Sequence, residues 1–404
     1  MCRFVYIGLL VLCVSFCSAD TWTVDLNGGG DFTDIQSAIN AAGPGDTVQI
    51  ADGVYSGPGN QNISFLGKAI TVKSINGPDA CIIEGDNTVP SMNRGFIFES
   101  DEPRESILEG ITIRDFWYLT CCEGGAGIVI ANGDPTIRNC RVLNCQIELD
   151  MCPCEIFGGG IFVQQGSPLF ENCVIKGNGG VSYGGGIACG DMMANVWVFL
   201  ENCIIANNSA MYGGGIYEYF IDCSQIKNCT VVNNNSYGLY CQNPPMPGPF
   251  SSPVIENIFW GNIPYQTWGY SLLTSRNYTP SSVLDPLFVD PVKGDYHLQW
   301  NSPCIDYCQY AQTSGDDIDI DHEPRCMGQY VDAGADEVGP KQADFSRNGK
   351  IDLIDFGVFS SAWGATPGEA NWYLLCDLVK DDHINLDDLK QLCFDWLWQA
   401  DWYE

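Results

Sequence analysis

The chain has 404 residues, 50 of them acidic and 18 basic, for a formal net charge of −32. A surface of that sign repels phosphate backbones and anionic headgroups, which sets aside nucleic acid and acidic membranes as partners. The excess acid is read as a solvated surface, with calcium ligands only where a particular loop gathers them.

Residues 1–19 have the pattern of a secretory leader: Arg3, an apolar stretch from Ile7 to Val14, and a small-residue site at Ser18-Ala19. Cleavage is expected before Asp20, and the bulky Phe16 ahead of Cys17 argues against lipoprotein processing. No later apolar run reaches the roughly 18 residues that a membrane-crossing helix needs. The mature chain is therefore expected outside the cell, free or at the cell surface. Of 21 cysteines, Cys2, Cys13 and Cys17 leave with the leader, so an even number reaches a compartment that permits disulfides.

In the segment 20–60, alternation puts Trp22, Val24 and Leu26 on one face of a strand. A turn at Gly28-Gly29-Gly30 leads into a short amphipathic helix with Ile35, Ala38, Ile39 and Ala42 along one side. Thr33 and Gln36 stand at capping-box spacing, and Gly43 supplies a stop. Strands are predicted at 46–50 and 53–55. A helix here is read as a cap over the open end of a β stack, which would otherwise recruit another chain.

From 61 to 283 one motif keeps returning, an Asn-Cys pair and later Gly-Gly-Gly-Ile. The pairs are Asn139-Cys140, Asn172-Cys173, Asn202-Cys203 and Asn228-Cys229, spaced by 33, 30 and 26, with a weaker copy ending at Asn257. The triplets begin at Gly158, Gly184 and Gly213, 26 and 29 apart. Self-similarity at this period means stacked units. Between the marks lie short, β-branched, Gly-bounded stretches with no room for paired helices. The predicted class is all-β, a solenoid with strands such as 69–73, 110–114, 173–176 and 203–206.

Coils stacked about 4.8 Å apart bring equivalent residues into rows. Cys140, Cys173, Cys203 and Cys229 are expected inside as small hydrophobes. Asn139, Asn172, Asn202 and Asn228 are expected to share side-chain hydrogen bonds at a bend. Phe157, Tyr183 and Tyr212 each precede a Gly triplet, and Tyr237 precedes Gly238. Facing outward, those four rings form a platform for sugar rings; facing inward, they are a core ladder. Cys121, Cys122, Cys145, Cys152 and Cys154 crowd one variable stretch and are disulfide candidates, a metal cluster being the alternative.

Three resemblances follow from these residues. The segment 25–55, with Gly-Asp-Phe-Thr-Asp-Ile-Gln-Ser-Ala-Ile and Gly-Asp-Thr-Val, resembles the start of the pectate-lyase-like right-handed parallel β-helix superfamily. The Gly-Gly-Gly-Ile and Phe/Leu-Glu-Asn repeats resemble those of polymorphic outer-membrane proteins, also β-helical. The segment 284–338, with Asp285-Pro-Leu-Phe-Val-Asp290 and Val331-Asp-Ala-Gly-Ala-Asp-Glu337, resembles the closing module of bacterial secreted β-helix proteins. The expected organisation is a leader over 1–19, a capped right-handed parallel β-helix over 20–283, a closing module over 284–338, and a small helical domain over 339–404.

That last domain holds two loop–helix units 33 residues apart. Calcium takes six to eight oxygens, which a twelve-residue loop supplies from positions 1, 3, 5, 7, 9 and 12. In the first loop these are Asp344, Ser346, Asn348, the Lys350 carbonyl, Asp352 and Asp355, with Gly349 at the sharp turn and Ile351 just after it. In the second they are Asp377, Asp381, Asn385 and Asp388; Val379 and Asp382 break the pattern, which predicts weaker binding. The duplicated units resemble type I dockerins, a likeness that implies calcium and attachment to a cohesin-like scaffold. Leu353, Ile354, Leu386 and Asp387 stand where such modules carry small hydroxylated residues, so a conventional partner does not follow. A domain serving only stability or anchoring is the alternative.

Catalytic patterns known from sister families find no match. Polygalacturonase-like hydrolases use clustered Asp with a Gly-His-Gly segment, but His297, His322 and His383 all lie outside the central coils. Pectin methylesterases share the start of the fold and not the motifs downstream of it. A lyase needs a base and a cation or carboxylate partner. Arg114, Arg138, Arg141, Lys176, Glu155, Asp191 and Glu218 are the available charges, without a signature. The expected function is an exported protein binding or degrading an extracellular polysaccharide by lyase or hydrolase chemistry. The competing class is a non-catalytic surface or adhesion rod.

Overall fold

Strands in this chain pair, in parallel, from coil to coil, apart from the antiparallel pair Phe288–Asp290 and Asp295–Leu298. Thr136–Arg138 lies beside Leu169–Glu171, which lies beside Val198–Glu201. The structure, a computed structural model, describes residues 19–86, 88–120, 123–149, 155–190, 196–220, 224–243, 254–269, 276–280, 284–299, 302–309, 317–325, 330–338, 343, 345, 350–369, 371, 376–379, 381, 383–394 and 396. Residues 1–18 and Cys121, Cys122, Cys152, Cys154 and Asp191 therefore lie outside the described residues.

Three parallel sheets run the length of the stack. Among the described residues sheet A has nine strands, from Thr21–Val24 to Val254–Ile255; sheet B has eight, from Gly53–Tyr55 to Ile258–Trp260; sheet C has eight, from Ile63–Ser64 to Thr267–Trp268. The chain visits A, then B, then C in every coil, and parallel crossovers of this kind wind right-handed. The fold is the expected right-handed parallel β-helix. Its interior is one continuous core of Ile, Val, Phe and Cys, because alternate residues of each strand point inward.

Cys140, Cys173, Cys203 and Cys229 are buried in that core, as their spacing predicts. Burial holds the Cys140 thiol at about 12, so it stays protonated and packs as a hydrophobe. Cys145, expected in a disulfide, is instead a free, buried thiol. Its strand-end position points it into the core, where its backbone N–H donates to Asn178 Oδ1 at 2.9 Å.

The asparagine ladder exists, but one bend later than the sequence pattern places it. Asn139, Asn172, Asn202 and Asn228 sit at φ of 54, 50, 52 and 52°, the left-handed conformation that Asn tolerates, and they turn the chain from sheet A to sheet B. Their side chains point away from the core and share no bonds with each other among the described residues. The hydrogen-bonded row is Asn178, Asn208, Asn234 and Asn262, between sheets B and C. Each backbone N–H in turn donates to the next Oδ1 at 2.9–3.0 Å. Each amide Nδ2 also donates to a carbonyl of the previous coil, as Asn208 does to Ile175 O at 2.9 Å. At the A–B bend that inward position belongs to the cysteines.

The Gly triplets serve two purposes. Gly184 takes φ +68°, while a Cβ on Gly185 or Gly186 would lie 2.6–2.7 Å from the carbonyls of Gly214 and Gly215 in the next coil. The first glycine is required by conformation and the other two by close approach.

The capping helix α1 spans Ile35–Ala41 and buries Ile35, Ala38 and Ile39. Asp34, rather than Thr33, is its N-cap, accepting from Ser37 N–H at 2.8 Å. Gln36 bonds instead to the backbone of Ser64, accepting at 2.8 Å and donating at 3.1 Å, which ties α1 to the edge strand of sheet C. Downstream, Tyr278, Phe288, Tyr296, Leu298 and Val331 pack on the outer face of sheet B against Ile204, Ala206, Val232 and Ile258. Helices α2 (Leu353–Ser361) and α3 (Leu386–Phe394) close a separate small core around Phe345, Ile351, Phe359, Ile384 and Leu392. No helix among the described residues is long and apolar enough to cross a membrane.

Candidate functional site

The outer face of sheet C is apolar where an outer face is normally polar. The outward residue of successive strands reads Ile97, Val129, Phe162, Ala188, Tyr217, Tyr240 and Trp268, all in register. Phe157, Tyr183, Tyr212 and Tyr237 lean over this row from the preceding bends.

Phe157 and Tyr183 stack with centroids 5.0 Å apart and planes 17° from parallel; Tyr183 and Tyr212 follow at 5.5 Å and 18°. Tyr237 leaves that stack, meets Tyr240 edge-on at 5.1 Å, and stacks on Tyr265 at 5.8 Å. Phe157, Tyr183 and Tyr237 are half-buried, while Tyr212 is exposed. In the middle of the row each ring face is covered by the next ring, so edges and hydroxyls reach solvent. Open faces lie at the far end, where Tyr265 is 61 % and Trp268 51 % exposed. The Tyr183 hydroxyl donates to Glu155 Oε1 at 2.9 Å. Burial, reinforced by that carboxylate, pushes its pKa up to about 12, so it remains a donor.

At the other end of the same face is a hollow of about 290 Å³, floored by Ile97, Val129 and Phe162 and rimmed by Arg94, Glu99, Glu123 and Gln164. Arg94 Nη2 donates to Glu123 Oε2 at 2.7 Å, and its guanidinium lies 4.0 Å from the centre of the Tyr118 ring. Tyr118 OH donates to the same carboxylate at 2.8 Å. Those two bonds, Arg94's first, hold the Glu123 carboxyl below its usual range.

A second concavity, of about 480 Å³, lies at the A–B bend beneath Asp317, Ile318 and Arg325. Glu171 and Glu201 enter it from adjacent strands in direct register. Burial raises both carboxyls above the usual range, and for Glu201 its neighbour Glu171 adds to the rise. Lys227 follows in register, and Arg138 pairs with Glu109 at 2.8 Å. Asn172 and Asn228 line the same cleft with buried Oδ1 atoms that have no hydrogen-bond partner among the described residues. Sequence reading did not single out Glu171 and Glu201, although the signal was present: Phe170-Glu-Asn and Leu200-Glu-Asn place a carboxylate at the same repeat position twice.

The lyase charges considered from sequence are not brought together. Arg114 pairs with Glu84 at 2.6 Å, Arg141 with Asp79, and Lys176 Nζ donates to Lys293 O at 3.4 Å. Glu155 holds Tyr183, and Glu218 is fully buried.

In the C-terminal domain the second loop is the one whose carboxylates are seen to converge. Oxygens of Asp377, Asp381 and Asp388 all lie within 4.8 Å of one another. Asp377 and Asp388 are buried and Asp381 is exposed. Asn385 stands beside them, its N–H donating to Asp388 Oδ2 at 2.8 Å, while the Val379 side chain is exposed. Hard carboxylate oxygens gathered at a loop fit a calcium ion. Of the first loop, Asp344, Ser346 and Asn348 lie outside the described residues. Lys350 precedes α2, Asp352 caps it, and buried Asp355 completes a capping box. Another trio, unforeseen, is Asp319, Asp321 and Asp336, again within 4.8 Å. Beside it His297 bonds Asp295 and Asp321; burial lowers its pKa, but these two bonds prevail and lift it to about 11.

Residues 51–243 match the family model described as "Right handed beta helix region". No curated protein matches the chain. Among solved structures it is similar to pectate lyase Pel9A, at 14 % identity and a TM-score of 0.39, over 80 % of this chain and 97 % of that one. A rhamnogalacturonan lyase is similar at 14 % identity and 0.32, over 67 % and 90 %. Pectin methylesterase from carrot is similar at 14 % and 0.29, over 64 % and 87 %. The fold itself rests on the strand pairing.

Proposed function

We propose that this protein is an exported solenoid that holds an extracellular polysaccharide along the outer face of sheet C. The observation that carries the reading is the aromatic row, running from the Phe162-floored hollow to the open rings of Tyr265 and Trp268. Flat apolar rings with hydroxyl and carboxylate edges suit sugars, which present C–H faces and hydroxyl rims. Affinity electrophoresis through gels containing soluble polysaccharides tests it: the protein is retarded, and Trp268→Ala with Tyr265→Ala migrates freely.

The C-terminal helical pair is proposed to be a calcium-stabilised, dockerin-like attachment module. Calcium bound by Asp377, Asp381, Asn385 and Asp388 would neutralise carboxylates that otherwise repel one another. By the loop pattern the first loop would use Asp344, Ser346, Asn348, Lys350, Asp352 and Asp355. Leu353 is 75 % exposed, Ile354 58 % and Leu386 57 %, an apolar surface that favours contact with a cohesin-like scaffold protein. Isothermal titration with calcium, followed by pull-down from the parent organism's exported proteins, tests both halves.

Degradation is a second reading, at a separate cleft on another face of the solenoid, with one observation in its favour. Glu171 and Glu201 stand side by side in a cleft that also holds Lys227. Two carboxyls that cannot both ionise easily supply an acid and a base. New reducing ends released by the wild type and not by Glu171→Gln or Glu201→Gln would establish it.

A further inference from the structure

We infer that the chain held on sheet C is an uncharged polysaccharide, whose units carry hydroxyls but neither carboxylates nor amines; this rests on the reading that sheet C holds a glycan. A polyuronate brings one negative charge per sugar, and a protein that grips it needs cations or a bridging metal along the groove. Among its described residues, sheet C offers neither.

Between Lys176 and Arg276 the sequence contains a single basic residue, Lys227. Lys227 ends the sheet A strand Ser224–Lys227, on a different face of the solenoid. The coils that carry Tyr183, Tyr212, Tyr217 and Tyr240 thus contribute no cation to their own aromatic row. The arginine at the hollow, Arg94, is only 9 % exposed, bonded to Glu123 and seated on Tyr118, so its charge is already matched.

The acidic side chains point the same way. Glu99, Glu123 and Glu155 are exposed along this face, and a uronate chain laid over them would meet like charge. A metal bridge between protein and uronate would need converging carboxylates there. Among the described residues the converging trios are Asp319, Asp321 and Asp336, and Asp377, Asp381 and Asp388, neither of them on sheet C. An amine-bearing glycan finds two of these three carboxylates already engaged, Glu123 by Arg94 and Tyr118, and Glu155 by Tyr183, which leaves Glu99 alone to pair with it. What is left for a ligand is ring surface, tyrosine hydroxyl and carboxylate lone pairs, which together suit a hydroxylated neutral chain.

Full-length protein is run in affinity gels with xylan, β-glucan, galactomannan and galactan, with polygalacturonate and alginate, and with chitosan. Each is run with calcium or with chelator, at low and raised salt. The expected result is retention by at least one uncharged polysaccharide, at least tenfold weaker retention by both uronates, and no effect of salt on the neutral chain. Stronger retention by a uronate or by chitosan, lost in Trp268→Ala, overturns the class while keeping the site. Neutral retention that survives both Trp268→Ala and Tyr265→Ala overturns the site. Silence across the whole panel overturns both.

Discussion

Asn257 occupies in its coil the place that Cys229 occupies in the coil before, and the two are joined by a bond from Cys229 N–H to Asn257 Oδ1 of 2.7 Å. From there the row goes on as amides, Asn257 N–H donating to Asn277 Oδ1 at 3.0 Å. One interior position therefore takes either a thiol or an amide. The stability of the stack is carried differently at its two asparagine bends.

Asn208→Ala should be costly. It removes the acceptor of Asn178 N–H and the donor to Ile175 O, both fully enclosed. Each orphaned group costs about 1–3 kcal/mol, so denaturant unfolding should show a loss of roughly 3 kcal/mol. Asn172→Ala breaks no side-chain hydrogen bond seen among the described residues and loses only the tolerance of Asn for left-handed φ, about 1 kcal/mol. Equal losses at the two sites would contradict the placement of the ladder.

Cys140 and Cys145 should be chemically silent. Burial keeps Cys140 and Cys145 near pKa 12, and only a thiolate reacts readily. In native protein neither should be alkylated by iodoacetamide at pH 8, whereas exposed Cys393 should react. Mass spectrometry of tryptic peptides reads this directly; rapid native labelling of Cys140 would contradict an interior row.

The fold was legible because its repeat is a covalent record of geometry: from residue order alone, Gly184 marks a corner and Cys173 an inward position. The ladder was misplaced by one bend for an equally physical reason. An Asn that sets a left-handed turn and an Asn that bonds across coils look alike in sequence, and only their hydrogen bonds separate Asn172 from Asn208. The converging acids Asp319 and Asp336 were not legible, since they lie 17 positions apart in the chain. Nor could spacing reveal that Tyr183 and Tyr212 would cover each other's faces.

Glu171 and Glu201 make stability depend on pH. Their carboxyls titrate above the usual range in the folded chain because burial opposes the charged form. Between the unfolded and folded values the native state holds more protons, so stability is greatest below that window and falls as pH rises through it. Glu201→Gln should be more stable than wild type above the window and show a flatter melting profile from pH 4 to neutrality. A variant as pH-dependent as wild type would show that Glu201 is not the source.

Calcium should raise the melting transition of the C-terminal domain, by mass action on a site present only when folded. Asp377→Asn should shrink that rise while leaving the transition in chelator nearly unchanged. An undiminished rise would place the ion elsewhere, with Asp319, Asp321 and Asp336 the next group to alter.

Trp268 and Tyr265 are the most exposed rings of the sheet C row, so the proposed grip on a glycan depends on them first. The direct measurement is the dissociation constant of full-length protein for a retained polysaccharide, compared between wild type and the Trp268→Ala, Tyr265→Ala double variant. Removing two stacking rings should weaken binding by roughly tenfold or more, at about 0.5–1.5 kcal/mol per aromatic contact, with the melting temperature unchanged. Binding as tight in the double variant as in the wild type would contradict it.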